Sequence, residues 1–492
     1  MQAVMATPSR GASSRHGIRS SVGTGNRLRA ISVAVSIGVG LTFGPAGSAQ
    51  ALGLADAYEA ALGHDPVYAG ALKEKEAGDA NLGIGRSYLL PNLSANYADY
   101  KDWTTTTYLG TAYPPEPQAY HAYSAGVSLR QPLLNYEDLA RYRYGKATAL
   151  ASDATFIDHS EDLLVRVLGA YTDTVFALDQ LALASSQKKA LDEQLASNES
   201  MFKNGQGTRT DILETRAKAE LAEADVADAQ GNLDNAAHAL EAITGLPASL
   251  DVGGLDRLSD SYQPTMPSPA SFEQWRDIAL DNNAELTAQR QSVEAARQQL
   301  EIAHAGFLPH VDLVANFGKN QSDTLDAIGQ RYLTKSIGIE ITIPLYSGGL
   351  VSASSAQARA NYQRSQFDLQ DKTNTVLLDV RKQYNLCVNG LTRIDALQSA
   401  VDSATQLITA THKSVQAGMR TNLDVLTAEQ QLYESKRDLA RARYQYLLAS
   451  LQLQHAAGIL TAQDLYGMAQ WFVPSGAATP MAQAVTAASD SR

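Results

Sequence analysis

Two distant stretches of the chain share one layout, and a chain built twice on the same plan has few folds open to it. FKNGQGTRTDILETR runs from Phe202 to Arg216, and VQAGMRTNLDVLTAEQ from Val415 to Gln430. In each, a glycine interrupts an otherwise helical run, and a threonine and an aspartate then reopen it. Gly205 and Gly418, Thr208 and Thr421, and Asp211 and Asp424 are all 213 residues apart.

The duplication extends outward from these turns. A helical pattern from Leu52 to Tyr88 is echoed from Phe272, with ALGHDP (Ala61 to Pro66) matching ALDNNA (Ala279 to Ala284). Both helical stretches run into a proline, Pro91 and Pro309, 218 residues apart. Proline is tolerated at the first position of a strand, where its missing N–H needs no partner. After each proline the period changes to alternation. Leu93, Ala95 and Tyr97 take one side of the first strand; Val311, Leu313, Ala315 and Phe317 take one side of its echo. A polar loop follows each, and then a returning strand: AYSAGVSLRQPL in the first half, TKSIGIEITIPLYSGG in the second. Each half thus holds one β-hairpin with strands of about ten residues, the length a tilted strand needs to cross a bilayer.

Each half continues into a very long helix, Asn135 to Lys203 and Leu350 to Ala417. At 1.5 Å per residue such a helix reaches roughly 100 Å. Past the glycine turns, shorter helices return over Asp211–Thr244 and Asn422–Ala457 and close on Gly245 and Gly458, expected C-caps. The expected organisation is a first repeat over 52–245, a breaker-rich linker over 246–270, a second repeat over 271–465, and a tail rich in small residues over 466–492.

Residues 1–51 read as a secretory signal peptide: arginines, then the apolar run ISVAVSIGVGLTF, then small residues before a cut after Ala51. The run is shorter than the ~20 residues that a spanning helix needs. Removing the segment takes away five arginines and no acid, so the formal charge falls from −12 to −17. So acidic a chain is a poor polyanion binder, and no nucleic-acid partner is expected. Cys387, the only cysteine, excludes an internal disulfide and reads as a packed small apolar residue. The histidines are scattered, with no metal-binding spacing, and no nucleophile motif occurs. No enzyme activity, cofactor or metal is expected.

Four membrane-length strands cannot close a barrel, because an open edge in lipid leaves backbone groups unsatisfied at several kcal/mol each. Other copies of the chain must complete the wall: two copies give eight strands, an interior that side chains fill, and three give twelve, which leave the room inside that conduction needs. The long helices are too polar for lipid and must project into water. Leu163, Val167, Ala170, Thr174 and Leu178 fit coiled-coil-like packing within them. The fold class is therefore mainly α with a membrane β-barrel.

At this level the chain resembles the TolC family of outer-membrane channel-tunnel proteins. The resemblance runs from Leu52 to about Leu465 and is strongest over the segment that begins AGMRTNLDVLTAEQQLYESKRD at Ala417. It implies a homotrimer with a twelve-stranded barrel in outer-membrane lipid and a periplasmic helical tunnel. It implies recruitment by a periplasmic adaptor and an inner-membrane ABC or RND-type transporter, for export of protein or small-molecule cargo. By position, the family's closing latch falls on Arg420 with Thr210 and Asp211, and its entrance ring on Asp424. The ring's second aspartate falls on Thr427, and a tyrosine that assists closure on Val415. These departures predict a weaker latch and a less charged gate.

Three copies of Asp424 around a narrow axis would repel one another and raise their pKa values. The alternative for Asp424 and Asp211 is a solvated helix-start aspartate favoured by the macrodipole. Gly205 and Gly418, as exposed knobs, are candidate adaptor-docking positions. The leading functional expectation is the exit duct of type I protein secretion. The alternatives are multidrug or metal efflux and, from another class, a periplasmic coiled-coil scaffold without β-hairpins.

Overall fold

The structure, a computed structural model, describes residues 52–110, 112–247, 254–259, 261–322 and 330–474. The expected signal peptide lies outside the described residues, as do parts of the expected linker and tail.

The element order runs through one series twice. Helices α1 (Leu54–His64) and α2 (Pro66–Ser87) lead into strands β1 (Asn92–Thr106) and β2 (Glu116–Leu134), then α3 (Tyr136–Lys203) and α4 (Arg209–Thr244). After the short β3 (Arg257–Leu258) come α5 (Phe272–Asn282), α6 (Ala284–Ala305), β4 (His310–Ser322), β5 (Gln330–Thr342), α7 (Leu350–Gln416) and α8 (Asn422–Ala457). Helix α9 (Ala462–Ala469) and β6 (Phe472–Val473) end the described chain. The helix lengths repeat: 11 and 22 residues, a long helix of 68 or 67, then 36.

Two expectations are corrected. The run from Leu52 to Tyr88 is two helices, because Pro66 cannot continue a helix but starts one well at N1. Asp65 caps the new helix by accepting from the Tyr68 N–H at 2.9 Å. The strands are longer than ten residues, at 13 to 19, because the hairpin arms continue beyond the membrane-length core.

Asp65 is almost fully buried and takes both ends of the Arg166 guanidinium, at 3.1 and 2.7 Å. Burial alone would raise its pKa; the Arg166 and Tyr68 hydrogen bonds and the Arg166 charge outweigh it and hold the carboxyl below the usual range. Its counterpart 218 positions on is the neutral Asn283, which caps α6 through Leu286 and donates to the Ala456 carbonyl. One capping position thus ties α2 to α3 by charge and α6 to α8 without it.

The four long strands form one antiparallel sheet in the order β1-β2-β4-β5. Asn92 pairs with Arg130, Ala122 with Ser322, and His310 with Thr342, with a bulge between Pro132 and Leu134. Strands β1 and β5 therefore lie at the two edges. In register, Leu93, Leu129, Leu313 and Ile339 share one face, and Ser94, Ser128, Asn316 and Ser336 share the other.

The helices carry the core. Helix α3 packs on α2, α4, α6 and α8, and α7 packs on α6 and α8. Leu163, Val167 and Thr174 of the expected coiled-coil positions are fully buried, and Thr174 Oγ1 donates to the α3 carbonyl of Ala170 and the α4 carbonyl of Ala236. Cys387 is buried in the same core, and burial pushes its thiol up to about 12. Near mid-length, Tyr171 sits edge-on to Phe472, and its hydroxyl lies 2.9 Å from the Leu52 carbonyl.

One buried acid makes the helical body pH-sensitive. Burial pushes the Glu161 carboxyl on α3 up to about 7, with the His455 charge opposing and the Asp158 charge adding to the rise. His455 on α8 lies 3.3 Å from Asp158; burial works to lower its pKa, but the Asp158 hydrogen bond and nearby acids raise it. Both groups have folded-state values above their unfolded ones, so both contribute stability at low pH and lose it as pH rises. Glu161 loses its share between about 4.5 and 7. The thermal midpoint of the purified protein is predicted to fall from pH 5 to pH 8. Glu161→Gln should flatten that slope and raise the midpoint at pH 8; an unchanged slope contradicts this assignment.

Candidate functional site at the two helical turns

The two glycine turns are built alike because the same backbone groups need partners in each. At the end of α3, the Gln206 N–H donates to the Met201 carbonyl and the Gly205 N–H to Phe202, at 2.9 and 3.0 Å. At the end of α7, Met419 donates to Ser414 and Gly418 to Val415, both at 2.9 Å. This is the Schellman arrangement, which needs a left-handed residue at its centre. Gly205 and Gly418 supply it, with φ of 73° and 72°. A Cβ at either would meet nothing within 4 Å, so backbone conformation alone demands glycine there.

The aspartates that follow are used locally. The Thr208 N–H and hydroxyl both donate to Asp211 Oδ2, at 3.0 and 2.6 Å, and the Asp211 N–H returns to Thr208 Oγ1 at 3.2 Å. Thr421 gives Asp424 Oδ2 the same two bonds, at 2.9 Å each. These are capping boxes that satisfy free N–H groups at the starts of α4 and α8. Within the protomer the Asp424 carboxyl lies below its ordinary pKa, held there by the Thr421 N–H and hydroxyl, with Arg420 adding through its charge. The expected upward shift belongs to a ring of copies; the single chain pushes the other way.

Arg420 is exposed and makes no ion pair within 4 Å among the described residues. Thr210 and Thr427 are also exposed, and Thr427 Oγ1 is turned back to the Leu423 carbonyl at 2.8 Å. Val415 is half-buried at the turn. The single chain does not bring Arg420 into a bond with Thr210 or Asp211. Beside the glycines stand apolar side chains that no motif in the sequence singles out. Met201, Phe202, Met419 and Leu423 are all exposed, Met419 by 76%. Apolar residues flanking a glycine turn at the ends of polar helices were the sign to look for.

Behind the turns, α8 leans on the α3–α4 pair. Leu426 packs with Leu191, Ala219 and Ala222. Beside this cluster runs a polar seam with two cavities of about 290 and 210 Å³, which share Gln187, Asp225 and Gln430 in their walls. Glu429 faces the smaller one and lies 3.8 Å from His412 on α7. Burial raises its pKa, and the Lys218 charge works to lower it. By contrast, α3 and α4 are locked together: Asn198 donates to Thr215 Oγ1 at 2.9 Å, both buried, and Thr215 donates to the Asp211 carbonyl at 2.8 Å.

A family model described as "Outer membrane efflux protein" matches residues 57–246 and 275–459, so both halves of the duplication fall within it. The chain belongs to this family. Among similar relatives, the alkaline protease secretion protein AprF of Pseudomonas aeruginosa is 42% identical, over 86% of this chain and 88% of its own. The proteases secretion protein PrtF of Dickeya chrysanthemi is 40% identical, over 87% and 92%. The outer membrane protein TolC of Escherichia coli is 29% identical, over 88% and 87%. Among solved structures, the outer membrane protein VceC of Vibrio cholerae superposes with a TM-score of 0.71 at 22% identity, covering 82% of this chain and 96% of that one. As a member of the family, the protein is an outer-membrane channel whose helices extend into the periplasm. No helix among the described residues is long and apolar enough to cross a membrane. The scaffold reading is set aside, since it required no β-hairpins.

Thr215→Val keeps the volume but leaves the buried Asn198 amide without its acceptor. It should destabilise the α3–α4 tip by about 1–3 kcal/mol. Amide hydrogen exchange around Gly205 is predicted to speed up accordingly, while exchange around Gly418 stays unchanged. Equal protection at both turns in variant and parent would contradict the assignment.

Proposed function

We propose that the protein is the outer-membrane exit duct of a type I protein secretion system. The observation that carries this is the order of likeness: relatives named for protease secretion stand at 42% and 40% identity, and TolC of Escherichia coli at 29%. Three copies share one twelve-stranded barrel, and their helices form the periplasmic tunnel. A periplasmic adaptor and an inner-membrane ABC transporter supply recognition and energy; the duct supplies a passage that opens.

Opening moves the α7–α8 pair against α3–α4 around the two turns. The cavities of the polar seam give α8 room to shift, while the Asn198–Thr215 bond keeps the outer pair intact. Arg420 holds the closed state by reaching Thr210 and Asp211 of the neighbouring pair, and Asp424 rings the entrance. Gly205 and Gly418, with exposed Phe202 and Met419 beside them, form the knobs that the adaptor grips.

Three measurements bear on this reading. Loss of the protein should trap a secreted protein in the cell without changing sensitivity to small toxic compounds; the reverse pattern overturns the secretion assignment. Arg420→Ser should raise single-channel conductance in a planar bilayer several-fold, and unchanged conductance removes Arg420 from the latch. Cysteines placed at Gln206 and Met419 should crosslink to the adaptor; a blank at both turns argues against docking there.

A further inference from the structure

The sheet sorts charge as well as polarity between its two faces. On the face with Ile337, Ile339 and Ile341, the described strand residues include four cations, Lys101, Lys319, Arg331 and Lys335, against one carboxylate, Asp99. The opposite face holds Asp102, Glu116, Asp312 and Glu340 against Arg130. An isoleucine-lined face is the lipid side of a barrel wall, and the polar face is the lumen side. An acidic chain with a formal charge of −12 therefore turns its positive charge outward, toward lipid.

The heights agree. The helices join the strands at Asn92, His310 and Thr342, which makes these the periplasmic ends. Lys101 lies nine residues beyond Asn92, Lys319 nine beyond His310, and Lys335 seven before Thr342. At ~3.3 Å per residue and a tilt near 40°, that puts the three amines roughly 18–23 Å above the periplasmic rim. The apolar band of such a barrel is about 25 Å tall. The lysines thus stand at its outer edge, where headgroups begin.

Each lysine also lies over an outward aromatic ring: Lys101 over Trp103 at 5.4 Å, Lys319 over Tyr123 at 5.6 Å, and Lys335 over Phe317 at 5.7 Å. None of the three, nor Arg331, has a carboxylate within 4 Å among the described residues. We propose that these cations form a belt that binds the phosphate groups of outer-leaflet glycolipid, with the aromatic rings level with them or just beyond, in the headgroup region. Charge complementarity and continuity with the apolar band both point to a lipid-borne phosphate.

The test uses the full assembled protein in phosphatidylcholine vesicles with and without lipid A, a phosphorylated glycolipid. Lipid A should raise the thermal midpoint of the parent protein by several degrees, and high salt should weaken the effect. The triple variant Lys101→Gln, Lys319→Gln, Lys335→Gln should lose most of that gain and bind lipid A at least tenfold more weakly. The corresponding triple arginine variant should keep it, and inorganic phosphate alone should do nothing. If the glutamine triple does not assemble, the single Lys335→Gln variant is measured in the same way and should lose part of the gain. Equal stabilisation of the parent and glutamine variants, or full replacement of lipid A by inorganic phosphate, overturns the proposal.

Discussion

A strand edge in hydrocarbon has no water to bind, and each unmet N–H or C=O there costs several kcal/mol. This chain ends its sheet in two such edges, β1 and β5, each at least 13 residues long. They must meet the complementary edges of other copies before the sheet can sit in a membrane. That requirement fixes the rest. Copies that share one wall are held in a ring, so the helices that continue from each strand are brought side by side around one axis. A tunnel is what long amphipathic helices make when their upper ends are already arranged in a circle.

The duplication supplies the parts of that ring, and small departures from it supply the differences between parts. The two turns are nearly superposable in their hydrogen bonds, with Gly205 and Gly418 at φ of 73° and 72°. Yet α3 packs extensively on α8, and no α4–α7 packing of comparable extent stands beside it among the described residues. Asp65 ties its helix to α3 through a buried ion pair, and Asn283 ties its own to α8 by a neutral bond. Around the tip, α3 and α4 share a buried amide–hydroxyl bond, and α8 faces them across a seam with space in it. The two pairs share one plan but are held by different contacts.

Much of this was legible because its causes are local. Proline before each strand, glycine at each turn and alternation within each hairpin act over a few residues. The shared barrel was legible from four membrane-length strands, while the outer-membrane location came with the resemblance to the TolC family. The break at Asp65–Pro66 was legible too, but the apolar periodicity ran through it and masked it. The pairing of β2 with β4 joins the two repeats across 182 positions between Arg130 and Asp312, and no local pattern announces such a bond. The outward lysines were hidden for a related reason: single charges on separate strands become a belt only once the register is known. Arg420 shows the limit of a single chain: Thr210 and Asp211, its expected partners, are not brought to it within one copy, and the latch stands as a proposal.

The central claim is that β1 of one copy pairs with β5 of the next. Cysteine at Asn96, combined in turn with cysteine at Tyr332, Thr334, Ser336, Gly338 or Glu340, measures it directly in oxidised outer membranes. Within one chain the two edges are three strand spacings apart, roughly 14 Å, too far for a disulfide. Covalent trimers on an unreduced gel, strongest at one or two of the five positions, are the predicted result. Monomers at every position, from protein that is present in the membrane, would contradict it.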